Sequence, residues 1–272
     1  MQQFSISPKA LIASLVHNRG LILAMTKREV IGRYRGSVMG ILWSFFNPLF
    51  MLAVYTFVFS IIFRARWNTG SDSKTEFALI LFAGLIVFNV FAECANRAPT
   101  TILANVNYVK KVVFPLEILP WITLGSVLFH AAISTLVWLI GYLAFFGVPH
   151  STVLLLPIAI IPLLLFTMGI SWALASLGVY LRDVSQVVVI VTTVLMFLSP
   201  IFYPITAIPE RIRPILMLNP LAPSIEQARD LLFFGKMPNL LLWSVSLIVA
   251  SIVAWLGFAW FQKTRKGFAD VL

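Results

Sequence analysis

Six stretches of this sequence stay apolar for about the length a helix needs to cross a bilayer, and that limits the fold more than any other feature. A hydrocarbon core of about 30 Å is crossed by roughly 20 helical residues. Runs near 38–62, 77–95, 118–147, 152–180, 184–205 and 239–261 reach that length. In lipid each main-chain N–H and C=O must be bonded within its own segment, so each run reads as a helix. The expected fold is all-α: a polytopic membrane protein with six transmembrane helices, residues 1–272 forming a single transmembrane domain. Hydrophobic residues make up 60% of the chain and charged ones 11%, more apolar surface than a soluble core conceals.

The formal charge of +10 is compatible with nucleic acid, an acidic partner or anionic lipid. No compact basic region interleaved with aromatics is present, so nucleic acid is not an expected partner and membrane lipid is. Six spans put both termini on one side. With the N-terminus inside, that side holds thirteen Lys and Arg against seven outside, which favours cytoplasmic termini. The basic stretch running to Arg35 and the long apolar run after it do not fit a cleavable signal, so this segment is expected to be retained. Cys94 is the single cysteine, so no intramolecular disulfide is possible, and a packed thiol is the plain reading.

Residues 9–31 mix Leu11, Ile12, Leu15, Leu23 and Val30 with Arg19, Lys27 and Arg28, the pattern of an amphipathic helix on a membrane surface. A loosely ordered basic tail is the alternative. Gly32, Gly36 and Gly40 follow at intervals of four. They form either one smooth helical face or a hinge between surface helix and first span. Segment 206–238 holds Pro209, Pro214, Pro220, Pro223 and Pro238, and its apolar pieces are too short to span. It reads as short re-entrant or interfacial helices in the last outer loop, placed to cap a pathway.

No G-x-x-x-x-G-K-[ST] loop is present to cradle ATP phosphates, so the chain is not expected to be an enzyme or to hold a cofactor of its own. Ionisable groups at membrane depth are confined to His130 and Glu93. A carrier working by ion coupling would use them. The plainer readings are an imidazole bonded between helices and a carboxylate reaching the interface. Asp183 and Asp230 stand in separate loops, so the clustered carboxylates that a membrane transferase needs to hold a metal and a pyrophosphate are missing. By elimination, uphill transport would draw on a separate cytoplasmic protein. Inner segment 96–117, with Asn96, Arg97, Asn105, Asn107, Tyr108, Lys110, Lys111 and Pro115, is either its docking site or a solvated connector.

The stretch RYRGSVMGILWSFFNPLF at 33–50 resembles the first span of type 2 ABC exporter permeases that export polysaccharides, including O-antigen, capsule and teichoic acid. NVNYVKKVVFPLEILP at 105–120, Arg182 with Asp183, SPIFYP at 199–204 and Asn219 with Pro220 follow in the same order, so the resemblance covers nearly the whole chain. It implies a homodimer joined to two copies of a cytoplasmic ATPase, which holds the ATP and Mg. The cargo would be a lipid-linked glycan and the location the bacterial inner membrane. It implies ATPase contacts at the amphipathic helix and at Arg97, Asn105, Tyr108, Lys110 and Lys111. It makes 206–238 an outer gate, with Asn219 and Pro220 within it and Pro204 just before it. Gly36 is a hinge position by its spacing, and Pro48 and Pro200, where a missing amide donor loosens a helix, fit either gate movement or a static kink. A teichoic-acid or small-amphiphile exporter is the near alternative.

Aromatic rings suit such a path, because pyranose C–H faces pack on a ring without fixed hydrogen-bond geometry. Trp43, Phe46, Phe50 and Tyr55 on the first span, with Phe197, Phe202 and Tyr203 on the fifth, are the candidates. Against each stands the ordinary role of facing lipid, packing between helices or marking the interface.

Overall fold

The computed structural model describes residues 5–62, 67, 74–110, 114–211, 216 and 219–272, all helix, turn or coil, with no strand among them. Five helices are long and apolar enough to cross a membrane: Gly40–Phe59, Thr75–Thr101, Leu116–Phe146, Ser151–Tyr180 and Leu240–Val271. A shorter apolar helix covers Val184–Leu198.

The amphipathic stretch is two helices rather than one. α1 (Pro8–His17) starts at Ser7, whose side chain accepts from the Ala10 amide at 3.2 Å, and α2 spans Arg19–Arg33. Between them the Asn18 side chain donates to the Ser14 carbonyl at 2.8 Å, a local bond that competes with helix continuation. α2 does not lie alone on a surface. It packs along the first half of α6 (Leu119–Phe146), with Thr26 against Gly125. Gly36 and Gly40 have φ of +85° and +53°, a left-handed backbone that side chains disfavour. Gly32 lies in the last turn of α2, while Gly36 and Gly40 belong to a turn between α2 and the first span, so the three do not make one smooth helical face.

α3 (Trp43–Tyr55) contains Pro48 and runs on as a π-helical turn, Thr56–Ile62. α4 (Lys74–Thr101) is the buried centre of the bundle. It continues past the expected end of its span, so Asn96 and Arg97 are helical rather than part of a loop. The short α5 (Val106–Lys110) leads to α6, whose Trp138 indole donates to the Leu79 carbonyl of α4 at 2.8 Å. After α7 (Leu156–Ala159) come α8 (Ile161–Tyr180) and α9 (Val184–Leu198), then α10 (Ala222–Arg229), α11 (Leu240–Thr264) and α12 (Phe268–Val271). α8 and α11 touch backbone to backbone, where a Cβ on Gly169 or Gly257 would overlap the other helix. Without a hydrophobic drive between helices in lipid, such close approach is what holds spans together.

The helix within the expected 184–205 span stops at Leu198, after 15 residues, or about 22 Å. The Ser199 hydroxyl turns back to the Leu195 carbonyl at 2.6 Å, and Pro200 brings no amide to continue the ladder. Pro200 therefore ends the helix and does not kink it. At one end of the bundle residues near both termini meet: Glu117 pairs with Arg265 at 2.5 Å and accepts from Ser14 at 3.3 Å. At the other end α10 folds back against α4.

Candidate functional site

Three polar stripes converge on one cavity of about 670 Å³ between α3, α4 and α6. α3 contributes Ser44, Asn47, Met51 and Tyr55; α4 contributes Asn89, Glu93, Asn96 and Arg97; α6 contributes His130 and Ser134. Spacings of three and four place each set on one helical face. Asn89 is exposed although its neighbours on α4 are buried, and it stands near the middle of the Thr75–Thr101 span. The sequence reading missed Asn47 and Asn89. The signal available was a lone amide inside each apolar run.

Where α2 meets the cavity, four charged groups interlock. Arg33 pairs with Glu93 at 2.6 Å, and Arg97 reaches Glu93 at 3.6 Å and pairs with Glu29 of α2. The Tyr34 hydroxyl stands 3.3 Å from His130 Nδ1, while His130 Nε2 is buried without a partner. Burial raises the Tyr34 phenol above its ordinary value, which keeps it neutral and able to donate. Arg97 thus pairs with α2 while its side chain stays partly exposed. Of the other expected contact residues, Asn105 donates to the Thr101 carbonyl at 2.8 Å. Tyr108 accepts from Arg28 at 2.9 Å and stacks on Phe114 at 4.4 Å. Lys110 donates to the Leu272 main-chain oxygen. Lys111 lies outside the described residues.

The aromatic candidates divide. Tyr55 neighbours Phe59 at 6.4 Å, Phe59 stacks on Phe202 at 5.6 Å, and Phe202 stacks on Phe197 at 5.6 Å. Tyr203 donates to the Phe197 carbonyl at 3.0 Å. These rings join the end of α3 to the end of α9, with Phe59, absent from the sequence-based set, as the central link. Trp43, Phe46 and Phe50 take no part: Trp43 and Phe50 are exposed, and Phe46 meets Phe45 at 6.1 Å. Their face is turned by about a third of a turn from the face that bears Tyr55.

Beyond the rings, Asn219 donates to Ser199 Oγ at 2.8 Å and accepts from the Leu221 amide at 3.0 Å. This joins the NP and SPIFYP motifs. Pro204 is extended and Pro220 exposed. The strongest anchor here is one the sequence reading missed. Arg229 is 1% exposed and donates to the Ile80 carbonyl at 3.2 Å, the Ile201 carbonyl at 2.5 Å and the Pro200 carbonyl. It also pairs with Glu226 at 2.8 Å, and its guanidinium sits 4.4 Å from the Trp67 ring centre. Burial lowers its pKa to about 10, so it stays charged near neutrality. Ile80 lies roughly 8 Å along the α4 span from Thr75, so α10 packs against the side of α4 rather than beyond its end.

The described residues thus form a bundle of membrane-length helices with a polar cavity among three of them, an aromatic junction and a hairpin folded against α4 at one end. The chain belongs to the ABC-2 type transporter family, whose family pattern it matches over residues 20–233. It is 30% identical over 256 residues to the O-antigen export system permease protein RfbA of Klebsiella pneumoniae, covering 93% of this chain and 95% of that one. Identity to the protein of the same name from Myxococcus xanthus is 26% over 96% and 98%. With the polysialic acid transport protein KpsM of Escherichia coli it is 28% over 78% and 81%.

Proposed function

We propose that this chain is the membrane subunit of an ATP-driven exporter that moves a lipid-linked polysaccharide of the O-antigen kind across the bacterial inner membrane. Two copies form the path, and two copies of a cytoplasmic ATPase hold ATP and Mg and supply the energy. Both termini face the cytoplasm, so the Glu117–Arg265 end lies beside the ATPase and the Arg229 hairpin forms the outer end. The observation that supports this most is the polar cavity between α3, α4 and α6, with the Tyr55 ring in its wall, in a chain similar to proteins named for O-antigen export and polysialic acid transport. Proteoliposomes test it. Chain plus ATPase is expected to take up a lipid-linked glycan only with hydrolysable ATP; uptake by the chain alone, or none under any condition, rejects the reading.

An ion-coupled carrier built on His130 and Glu93 is less well supported. Glu93 is paired with both Arg33 and Arg97, so its carboxylate is committed to two guanidinium groups rather than free for a coupled ion.

A further inference from the structure

Asn47 on α3 and Asn89 on α4 are exposed polar amides within membrane-length helices, and neither bonds to another described residue. Left facing lipid, each would be costly, because hydrocarbon offers no partner for an amide. Both instead line the cavity with Asn96, whose side-chain oxygen accepts from Thr192 of α9 at 2.9 Å. An amide presents donors and an acceptor together and has no charge. That is the complement of a sugar hydroxyl, which also donates and accepts.

The same cavity is poorly suited to a phosphate or other strong anion. Its cations, Arg33 and Arg97, are already held by Glu93 and Glu29, so no charge is left over for a ligand. Tyr55 adds a ring at one end, and His130 adds a ring whose Nε2 has no partner. Rings and neutral amides together hold a hydroxylated, uncharged polymer loosely. Each contact is exchanged for an equivalent one as the chain advances, and no ion pair traps it.

We propose that Asn47 and Asn89 line the water-accessible path and make the hydroxyl contacts of passing sugar units, as a neutral-sugar subsite at mid-membrane. The proposal rests on the export reading above and names the residues and the cargo chemistry within it. It makes α3 and α4 of each copy the polar wall of the path. The paired charges near α2 then form its neutralised edge.

Cysteine placed at Asn47 or Asn89 tests this in the assembled exporter. The unsubstituted chain, whose one thiol Cys94 is buried, gives the baseline. Asn47→Cys and Asn89→Cys are expected to react with a charged, membrane-impermeant methanethiosulfonate, and to react more slowly while glycan is being exported. Ile248→Cys, on an exposed apolar face of α11, is the lipid-facing control. Reaction no faster than that control at both amides overturns the proposal. In cells, Asn89→Leu compared at equal abundance of the exporter is expected to lower glycan export about two- to tenfold, the loss of one hydrogen bond, with Asn89→Gln closer to the parent. Wild-type export by both Asn47→Leu and Asn89→Leu also overturns it. Export by the unsubstituted chain in the same cells reports on the parent reading, so failure there is distinguishable from failure of the amide subsite.

Discussion

Gly84 of α4 faces the Arg229 guanidinium so closely that a Cβ placed on it would stand 2.9 Å from Nη2 and 3.2 Å from Nε. A long side chain at a surface would swing away from such an intrusion. Arg229 has no such freedom, because its nitrogens are committed to carbonyls of α4 and of the segment after α9, and to Glu226. Gly84→Ala is therefore expected to destabilise the protein by about 1–3 kcal/mol. Arg229→Met should cost more, about 3–5 kcal/mol, since it leaves half-buried Glu226 without its partner and several buried carbonyls without donors. Thermal unfolding of the purified protein in detergent checks both. An unchanged midpoint for Arg229→Met would show that the guanidinium does not hold the hairpin.

Glu29 and Arg97 join α2 to α4, and both are partly exposed. Screening limits such a pair to about 1 kcal/mol or less, so its value lies in orienting α2 more than in stability. Glu29→Arg and Arg97→Glu are each expected to reduce ATP-dependent export, and the double exchange to restore part of it. Glu93 complicates the exchange, because Arg97→Glu also places a second acid beside it. No recovery in the double variant would mean that the two residues act separately.

The spans were legible because a run of about 20 apolar residues has few places to go other than lipid. Their ends were less so. Nothing in the composition of 184–205 announces that α9 stops at Leu198; that follows from the Ser199 hydroxyl bonding backward and from Pro200 together. Arg229 looked like one cation among many in an outer segment. Its role comes from main-chain carbonyls more than a hundred residues away in sequence at Ile80, and from Pro200 and Ile201. Arg97 seemed part of a loop, yet α4 runs four residues beyond it. The aromatic set was read as the lining of a pathway; three of its rings, Tyr55, Phe197 and Phe202, lie together where the first and fifth spans meet. It missed Phe59, which completes the link, because choosing rings by position along a span ignores the face they occupy.

Lys110 reaches the Leu272 main-chain oxygen, which ties the segment after α4 to the end of α12. Reversing its charge in Lys110→Glu breaks that tie and places an anion beside the C-terminal segment. Under the proposed function this corner faces the ATPase, so co-purification of the partner is expected to fall while the melting temperature of the isolated chain moves little. Equal yield of complex from both proteins would remove this corner from the docking surface.

Phe202 separates packing from guidance at the aromatic junction. It is half-buried between Phe59 and Phe197, both 5.6 Å away centre to centre. Leu fills much of the same volume and keeps the apolar contact, but it lacks the flat face and quadrupole that a sugar ring stacks on. If the junction only seals α3 against α9, Phe202→Leu should melt within about 1.5 kcal/mol of the parent and export normally. If passing sugars use the rings, the same variant should remain as stable but export less, and Phe202→Tyr should retain export. Trp43→Ala supplies the contrast: its ring is exposed on the other face of α3 and outside the cavity, so in a single copy it has no part in the junction. A larger export defect from Trp43→Ala than from Phe202→Leu would move the sugar-contacting wall to that outer face, where a second copy would have to complete it.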